Sequence, residues 1–503
     1  MNTHEPPTYG GWRRARAVGL FGLGLGQTMT VLAATTVALI TASVSAARLL
    51  VVGPLCLVVI VGNLAQWDGV TVAQALVQRL RWTVGNARGR TTYRGAVLSA
   101  ERHAWQLPGV LAPTVLLSVD DGQGDGYGVV WHRRLRTMTV TLHCAAQSTW
   151  LADPDAAAAW VYTWGGWLAG LGRVPTVRWV AITVDTAPDS GTRLADYIAA
   201  RIAPDGPPAA VQILQQLVAA APQAAADVHT NVSITFEPAL SPARPRTVQN
   251  WLGEVDRALP GLQDGLTGCG LTVLGRASAA EIAGIVRRCF DPTARADVTR
   301  LLAADTAAAA ELLDWGSAGP VAAQEYPDRY EHDGATSISW AWQDAPRQPV
   351  THHVLARLLA PGDHAKRVTL LYRPLSTARA AAEVEQQVNA AQFRAAYRRA
   401  RKLDPTARDV ADHEQAVQAA REEALGAGVG HVSLWVTTTV LDEDELGRAV
   451  ADIESRAETS KLRLRRLWRS QAAGFAATLP VGICLPALAK HLGDTSRWST
   501  KTD

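Results

Sequence analysis

The chain has 503 residues, of which 48% are hydrophobic and 19% are charged, and its formal net charge is +3. This composition is ordinary for folded protein combined with a membrane segment, and the length predicts two or more folded units beyond that segment. The net charge excludes no class of partner, but the basic residues concentrate beside an apolar segment, so we expect no direct nucleic-acid binding. The five cysteines are scattered without a CxxC pair, which favours buried thiols in a reducing compartment over disulfides.

Almost no charge occurs between residues 19 and 64. One apolar run covers residues 25–46 and a second covers residues 49–64, with only Arg48 between them. A helix rises ~1.5 Å per residue, so ~20 apolar residues cross a hydrocarbon core of ~30 Å. The pattern predicts a two-helix transmembrane hairpin within residues 1–68, with a tight turn at the small residues that precede Arg48.

Arginines flank this hairpin on both sides. Six of them are predicted to anchor the chain to anionic lipid: Arg13, Arg14, Arg16, Arg79, Arg81 and Arg88. The positive-inside rule then predicts that both termini are cytoplasmic, at the inner (plasma) membrane. Two alternatives to a membrane hairpin are disfavoured. A signal peptide has one shorter apolar region followed by a cleavage site, whereas this chain has two apolar runs. A buried core hairpin needs a polar outer face, and apart from Arg48 residues 29–64 offer only Thr, Ser and one Asn for it.

Residues 69–128 are predicted to be a basic juxtamembrane segment and linker. The amphipathic pattern of Val70–Arg94 predicts a helix along the membrane surface, although an ordinary surface helix gives the same pattern. Loops are predicted at Leu107-Pro108-Gly109 and at the glycine-rich stretch Asp121–Gly128.

Residues 129–290 are predicted to form a β-α-β, excursion, β-α-β unit, because alternation indicates strands and 3.6-residue spacing indicates helices. The predicted strands are Thr137–Cys144, Val177–Asp185, Val232–Phe236 and Leu271–Leu274. The predicted helices cover residues 155–172 and 247–266, and the helical excursion covers residues 191–226.

The same order is predicted for residues 335–470, after a linker at residues 291–334. The predicted strands are Ser337–Gln343, Arg367–Tyr372, His431–Val440 and Leu462–Leu467, and the predicted helices are Val350–Leu359 and Glu443–Thr459. The excursion Thr377–Leu425 is predicted to be a helical hairpin that breaks at Asp404-Pro405, with a basic tip. The predicted fold is therefore α+β: an amino-terminal two-helix transmembrane hairpin followed by two ferredoxin-like units with helical insertions.

The sequence offers little catalytic chemistry. It contains no GxxxxGK[ST] phosphate loop, no HExxH and no GxSxG elbow. Gly122–Gly126 with its aspartates lacks EF-hand spacing and predicts a turn. A metal cluster of His332, Asp333, His352 and His353 is disfavoured, because adjacent histidines on a helix point to different faces. We expect no catalytic residues, no cofactor and no metal.

Several short motifs, taken in order, resemble a known family. Tyr9–Arg14 and Gly19–Gly24, followed by the apolar hairpin, are similar to the actinobacterial SCO-type family of conjugation membrane proteins, which have a PrgI-like membrane segment. Three further stretches fit that family: Leu107-Pro108-Gly109, Trp315–Pro320 and Tyr372-Arg373-Pro374-Leu375. Gln471–Gly482 resembles the segment that precedes the motor domain of type IV secretion conjugative ATPases. The chain thus resembles a membrane subunit fused to the non-motor part of such an ATPase.

The resemblance implies a non-enzymatic inner-membrane component of a type IV-like conjugation or secretion apparatus. Its expected partners are the lipid bilayer, a separate conjugative ATPase and other secretion-system membrane subunits, and self-association into a homo-oligomer is left open. Two other interpretations stay open: an EccE-like membrane subunit of type VII secretion, and a membrane-tethered enzyme whose site is unrecognised.

The carboxyl-terminal segment, residues 471–503, is apolar for ~18 residues, near the lower limit for a membrane span. Pro480 and Pro486 and the basic residues on both flanks argue against insertion. We predict instead that Phe475, Leu479 and Ile483 form a patch that docks the ATPase. The alternative is that these three side chains close the core of the second unit.

Overall fold

The computed structural model describes residues 7–10, 25–67, 70–95, 106–120, 126–148, 152–189, 191–203, 206–220, 226–304, 309, 311–346, 348–400, 404 and 407–498. Within these residues, two apolar helices come first. A body of thirteen antiparallel strands with helices on both faces follows them.

The apolar helices are α1 (Leu25–Val44) and α2 (Ala46–Leu64). A two-stranded ribbon of β1 (Gln66–Trp67) and β2 (Val70–Thr71) leads into α3 (Val72–Ala87). The two predicted membrane helices are thus present, but the turn between them lies at Ser45 rather than immediately before Arg48. Arg48 belongs to the first turn of α2, because the small residues before it continue the helix instead of breaking it.

The other strands are β3 (Thr92–Arg94), β4 (Thr114–Val119), β5 (Tyr127–His132), β6 (Thr137–Ala146), β7 (Val177–Pro188), β8 (Ala226–Phe236), β9 (Leu271–Arg276), β10 (Ala322–Glu325), β11 (Tyr330–His332), β12 (Ala335–Asp344), β13 (Ala365–Pro374), β14 (Gly430–Val440) and β15 (Arg463–Arg466). The other helices are α4 (Pro154–Leu171), α5 (Thr192–Ala199), α6 (Pro208–Ala220), α7 (Val248–Asp264), α8 (Ala279–Phe290), α9 (Arg295–Ala304), α10 (Ala356–Leu359), α11 (Thr377–Ala400), α12 (Ala407–Ala424), α13 (Leu446–Thr459), α14 (Gln471–Ala477) and α15 (Leu485–Trp498).

The strands form one sheet in the order β3-β10-β11-β12-β14-β13-β7-β8-β6-β5-β4, with β15 paired to β12 and β9 paired to β6. The four predicted strands of the first unit are ordered β9-β6-β8-β7, and those of the second are ordered β15-β12-β14-β13. Both arrangements therefore follow the same order when numbered along the chain. β7 pairs with β13 over Lys366–Tyr372, which joins the two arrangements edge to edge.

Alternation along the strands gives the sheet an apolar face and a hydroxyl-rich face. On β6, Met138, Val140 and Leu142 point towards α4 and α7 and are fully buried there. Thr139 and Thr141 point to the opposite face and are also buried. Each helix that packs on the apolar face thus contributes to a continuous hydrophobic layer.

The apolar face continues through the second arrangement. Leu370 on β13 lies opposite Ile182 on β7, so their side chains share one side of the sheet. On that side, Trp340 and Val436 pack with Ile453 of α13. The helices α4, α7, α10 and α13 therefore cover one face, while α8 and residues 471–484 cover the other.

Four strands of the sheet lie in segments predicted as linkers. β3 and β4 fall within residues 69–128, and β10 and β11 fall within residues 291–334. β5 begins at the end of the first of these segments and was not predicted either. These strands are short or contain glycine, so their alternation is weak, and β3 pairs with β10, which is distant in sequence. α8 was also missed; Ser278 and Glu281 form the capping box at its start.

The helix predicted at Val350–Leu359 is mostly a series of turns, and only Ala356–Leu359 is helical. Val350 instead forms an isolated antiparallel bridge with Tyr9. Because Val350 pairs with Tyr9 in an extended conformation, the start of the predicted helix is not helical.

Candidate functional site

The two apolar helices expose their side chains. None of the apolar window Gln27–Val44 is buried, and only 6% of Ala46–Leu64 is buried. Both helices are long and apolar enough to cross a membrane by length and composition. The helices of a core hairpin would be enclosed by the body. The low burial of α1 and α2 therefore distinguishes them from helices of an ordinary hydrophobic core.

The residues before and after the hairpin meet the same body. Tyr9 and Val350 exchange two backbone hydrogen bonds of 2.7 and 2.8 Å. On the other side, the β1–β2 ribbon connects α2 directly to α3. The described residues on both sides of the hairpin therefore lie together with the sheet.

The helix α3 carries its apolar residues on the side that faces away from the body. Val72, Leu76, Leu80 and Val84 follow a four-residue spacing and are between 40% and 66% exposed. An ordinary amphipathic helix of a soluble protein buries this face. Exposure of this apolar face is typical of a helix that lies in a membrane interface.

The opposite, polar side of α3 is fixed to the body. The Gln78 side-chain amide donates to the Trp468 carbonyl at 2.7 Å and to the Ser470 hydroxyl at 2.8 Å. Thr71 and Gln74 form a capping box at the start of the helix. These contacts fix the rotation of α3, so its apolar face is turned outward by specific hydrogen bonds.

Three of the six predicted anchoring arginines lie on or next to this helix. Arg79, Arg81 and Arg88 are all exposed. Arg13, Arg14 and Arg16 lie outside the described residues. The glycine-rich loop at residues 121–125 and the motif Gly19–Gly24 also lie outside them.

The carboxyl-terminal segment crosses the hydroxyl-rich face of the sheet as a buried strap, which we define as residues 471–484. Phe475 and Leu479 are 1% exposed and Ile483 is 4% exposed, all within the hydrophobic core that contains α8. This burial corrects the prediction of an exposed docking patch, because these three side chains close a core. The core that they close also differs from the alternative stated above, because it contains α8 and residues of the predicted linkers but, among the described residues, none of 335–470.

Sheet hydroxyls hold the strap in place. The Pro480 carbonyl accepts hydrogen bonds from the Thr141 hydroxyl at 2.7 Å and the Ser233 hydroxyl at 3.0 Å. The Trp179 indole donates to the Gly482 carbonyl at 3.0 Å. A buried segment without regular secondary structure needs such partners for its backbone. The sequence signal was the alternation of Thr and Ser along the strands, which we had not interpreted as a polar face.

The aromatic part of the strap packs around a neutral histidine. His332 donates from Nδ1 to the Phe290 carbonyl at 2.5 Å, and the Ser337 hydroxyl lies 2.8 Å from its Nε2. The ring of Phe475 lies 4.7 Å from the His332 ring. Burial lowers the pKa of His332 to about 4, so the imidazole is uncharged at neutral pH.

A buried cluster of charged side chains lies beside the strap. Asp185 is 3.2 Å from Arg295 and 3.9 Å from Arg288. Arg295 also contacts Asp227 at 2.8 Å. Burial alone would raise the pKa of Asp185, but Arg295, Arg288 and Arg367 lower it overall. The cluster is a buried charge network that joins β7, β8, α8 and the start of α9, and in it Asp185 Oδ1 and Arg288 Nε have no hydrogen-bond partner among the described residues.

The histidine pair differs from its prediction. His352 and His353 lie in a turn rather than a helix, and their ring centroids are 3.8 Å apart. They therefore face one another instead of pointing to different faces. Among the described residues, no group of three or more His, Cys, Asp or Glu is placed to hold a metal ion.

Two of the motifs that carried the family resemblance pack together. A Cβ on Gly319 would lie 2.8 Å from the Leu107 side chain, so this close approach requires glycine. Leu107 itself is buried in the same core as the strap. The chain matches no protein-family model and no curated protein.

Proposed function

We propose that the chain is a membrane-anchored, non-enzymatic component of a type IV-like conjugation or secretion apparatus. In this proposal the apolar hairpin anchors a cytoplasmic platform that docks a separate ATPase. The observation that carries the membrane part is the exposed hairpin, which continues into a helix whose apolar face points outward. The conjugation part rests on the ordered motifs in the sequence.

The platform is proposed to consist of two ferredoxin-like units. Support comes from the repeated strand order, β9-β6-β8-β7 and β15-β12-β14-β13, with antiparallel neighbours in each. That order is what a split β-α-β arrangement produces. The excursions α5–α6 and α11–α12 lie between the second and third strands of their units.

We infer that both ends of the hairpin are cytoplasmic. The bridge between Tyr9 and Val350 supports a common side, because it ties the residues before α1 to the body after α2. The flanking arginines support the cytoplasmic side. Reporter fusions at Asp68 and at the carboxyl end should both report a cytosolic position. An external signal from either fusion contradicts the topology.

Membrane anchoring is tested by extraction of cell membranes at alkaline pH. The full chain should stay in the membrane pellet, as expected for a protein with spanning helices. Release of the chain into the supernatant contradicts the hairpin. A variant in which Leu39 and Leu57, exposed residues of the two helices, are both replaced by Arg should be released or degraded, since charge in a span is costly.

The partner is tested by cross-linking in the native host. Capture of a conjugative ATPase supports the proposal, whereas capture of type VII components favours the EccE-like alternative. The purified chain should hydrolyse no ATP. Hydrolysis that depends on residues of this chain would support the membrane-tethered enzyme instead.

A further inference from the structure

A cleft of about 650 Å³ separates α3 from the body. Its walls come from the polar side of α3, from the residues after that helix, and from two distant segments of the body. The lining residues used below are Gln78, Arg81, Trp82, Arg90, Glu325, Arg469 and Ser470. The cleft therefore exists only because the fold brings the juxtamembrane helix against residues almost four hundred positions later.

Three arginines line this cleft, and none of them has a counter-ion among the described residues. Arg81, Arg90 and Arg469 form no ion pair with any residue in the described part of the chain. Arg81 and Arg90 are exposed and Arg469 is partly buried, so solvent screens part of their charge. A group of like charges on one cleft is unfavourable unless an anion or solvent compensates it.

The acidic residue of the cleft does not compensate these arginines. The Glu325 carboxylate accepts a hydrogen bond from the backbone N–H of Ala472 at 3.0 Å. Burial raises the pKa of Glu325, and this single carboxylate faces three arginines in the cleft. The cleft therefore keeps a basic character.

Backbone geometry holds one of the three arginines in place. Arg469 has a φ of 59°, in the left-handed region that costs a residue other than glycine about 1–2 kcal/mol. Its N–H donates to the Pro327 carbonyl at 2.6 Å, which fixes this conformation. The indole Nε1 of Trp82, on the opposite wall, is enclosed and has no hydrogen-bond acceptor among the described residues.

We propose that this cleft binds a phosphate group, supplied either by an anionic phospholipid headgroup or by a soluble phosphorylated molecule. Guanidinium groups match phosphate oxygens with paired, charge-assisted hydrogen bonds. The Ser470 hydroxyl, which accepts from the Gln78 amide, can still donate its own hydrogen to an anion in the cleft. The lipid source rests on the proposed membrane location, because it requires α3 to lie at the headgroup level. The soluble source does not.

The experiment uses the full-length protein in a neutral detergent and two probes. Inorganic phosphate is titrated by calorimetry. Retention of phosphatidylglycerol is measured by native mass spectrometry against phosphatidylcholine at equal concentration. The test variant combines Arg81→Gln with Arg469→Gln. The matched control combines Arg246→Gln with Arg379→Gln, which removes the same charge from exposed positions outside the cleft and away from the predicted lipid anchor.

The wild-type protein should bind phosphate, or retain phosphatidylglycerol in preference to phosphatidylcholine. The cleft variant should bind at least about tenfold more weakly, since two charge-assisted contacts are lost, and the control should stay within about twofold of wild type. Displacement of the lipid by inorganic phosphate indicates a soluble ligand. A lipid that phosphate does not displace indicates a headgroup.

Absence of binding to both probes would overturn the proposal. Equal losses of binding in the cleft variant and the control would also overturn it, because they would indicate a general attraction of the probes to surface charge. If the double variant fails to fold, Arg90→Gln at the rim replaces it and should weaken binding alone. Alkaline extraction distinguishes a failure of this proposal from a failure of the proposed function. If the chain leaves the membrane but still binds phosphate through Arg81 and Arg469, the cleft is supported and the membrane anchor is refuted.

Discussion

Gly482 is the tightest point of contact between the strap and the sheet. Its φ is +74°, a conformation that residues with a Cβ rarely adopt. A Cβ at this position would lie closer than 3.0 Å to the hydroxyls of Thr139 and Thr235. Both hydroxyls are buried and lie 2.9 Å apart in a hydrogen bond with each other. Replacement of Gly482 by Ala therefore demands movement in the middle of the sheet.

The expected cost has two parts. The left-handed backbone costs alanine about 1–2 kcal/mol relative to glycine. Overpacking of a well-filled interior costs a further ~1–3 kcal/mol. Gly482→Ala should thus reduce the stability of the body by about 2–5 kcal/mol. The Trp179 bond to the Gly482 carbonyl should weaken with it, because the carbonyl moves when the backbone shifts.

The assay is denaturant unfolding of the full-length protein in detergent, followed by tryptophan fluorescence. Gly447→Ala is the matched control, because Gly447 lies in α13 and a Cβ there meets no atom within 4 Å. Alanine favours a helix by about 1 kcal/mol over glycine, so this control should be neutral or stabilising. Adding Thr139→Ala to Gly482→Ala removes the nearest obstacle and should restore part of the loss.

An unchanged midpoint in Gly482→Ala would refute the reasoning. So would a loss in the double variant that equals the sum of the two single losses, since atoms in steric conflict must couple.

Three further predictions concern buried and interfacial groups. Arg295→Met should destabilise the body by about 3–5 kcal/mol, because it removes the nearest partner of a buried carboxylate. The lowered pKa of Asp185 stabilises the folded state above the unfolded pKa. Loss of that stability should begin at higher pH in the Arg295 variant, as measured by unfolding across pH. The pKa of His332 is lowered to about 4. The free energy of unfolding should therefore decrease by on the order of 3 kcal/mol as the pH falls from 6.5 to 4. In the same measurement, His332→Gln should remove most of this pH dependence. Gln78→Ala should increase hydrogen exchange in α3 without a change in the rest of the sheet, since it removes two bonds to the body; unchanged exchange would contradict a role for Gln78 in holding the helix.

The sequence predicted the regular elements of both arrangements because their hydrophobic patterns are long. β6, β7 and β14 contain many alternating residues, and α4 and α13 contain several helical turns. The pairing of β7 with β13 was not predicted. It joins residues that are 180–192 positions apart, from Lys366 opposite Thr186 to Tyr372 opposite Val180, and no local pattern specifies which strand edges meet.

The candidate sites also contain some features that local sequence patterns predict and others that they do not. The apolar hairpin and the amphipathic character of α3 were local signals, so both were predicted. The outward rotation of α3 depends on the Gln78 contact with Trp468 and Ser470, which local periodicity does not contain. The burial of Phe475 was offered only as an alternative, because an apolar stretch has the same appearance in sequence whether it covers its own core or awaits a partner.

The strap and the hydroxyl-rich sheet face depend on each other. Without residues 471–484, the hydroxyls of Thr141 and Ser233 would lose the Pro480 carbonyl, and the core beside Phe290 would lose Phe475. Without those hydroxyls, the strap carbonyl would be buried without a donor, at a cost of about 1–3 kcal/mol. Because the strap spans both arrangements, it closes the same side of the whole sheet. A segment whose sequence resembles a connection to a motor domain is therefore, in this chain, an integral part of the folded body. Any partner that binds here meets the outer surface of a completed structure.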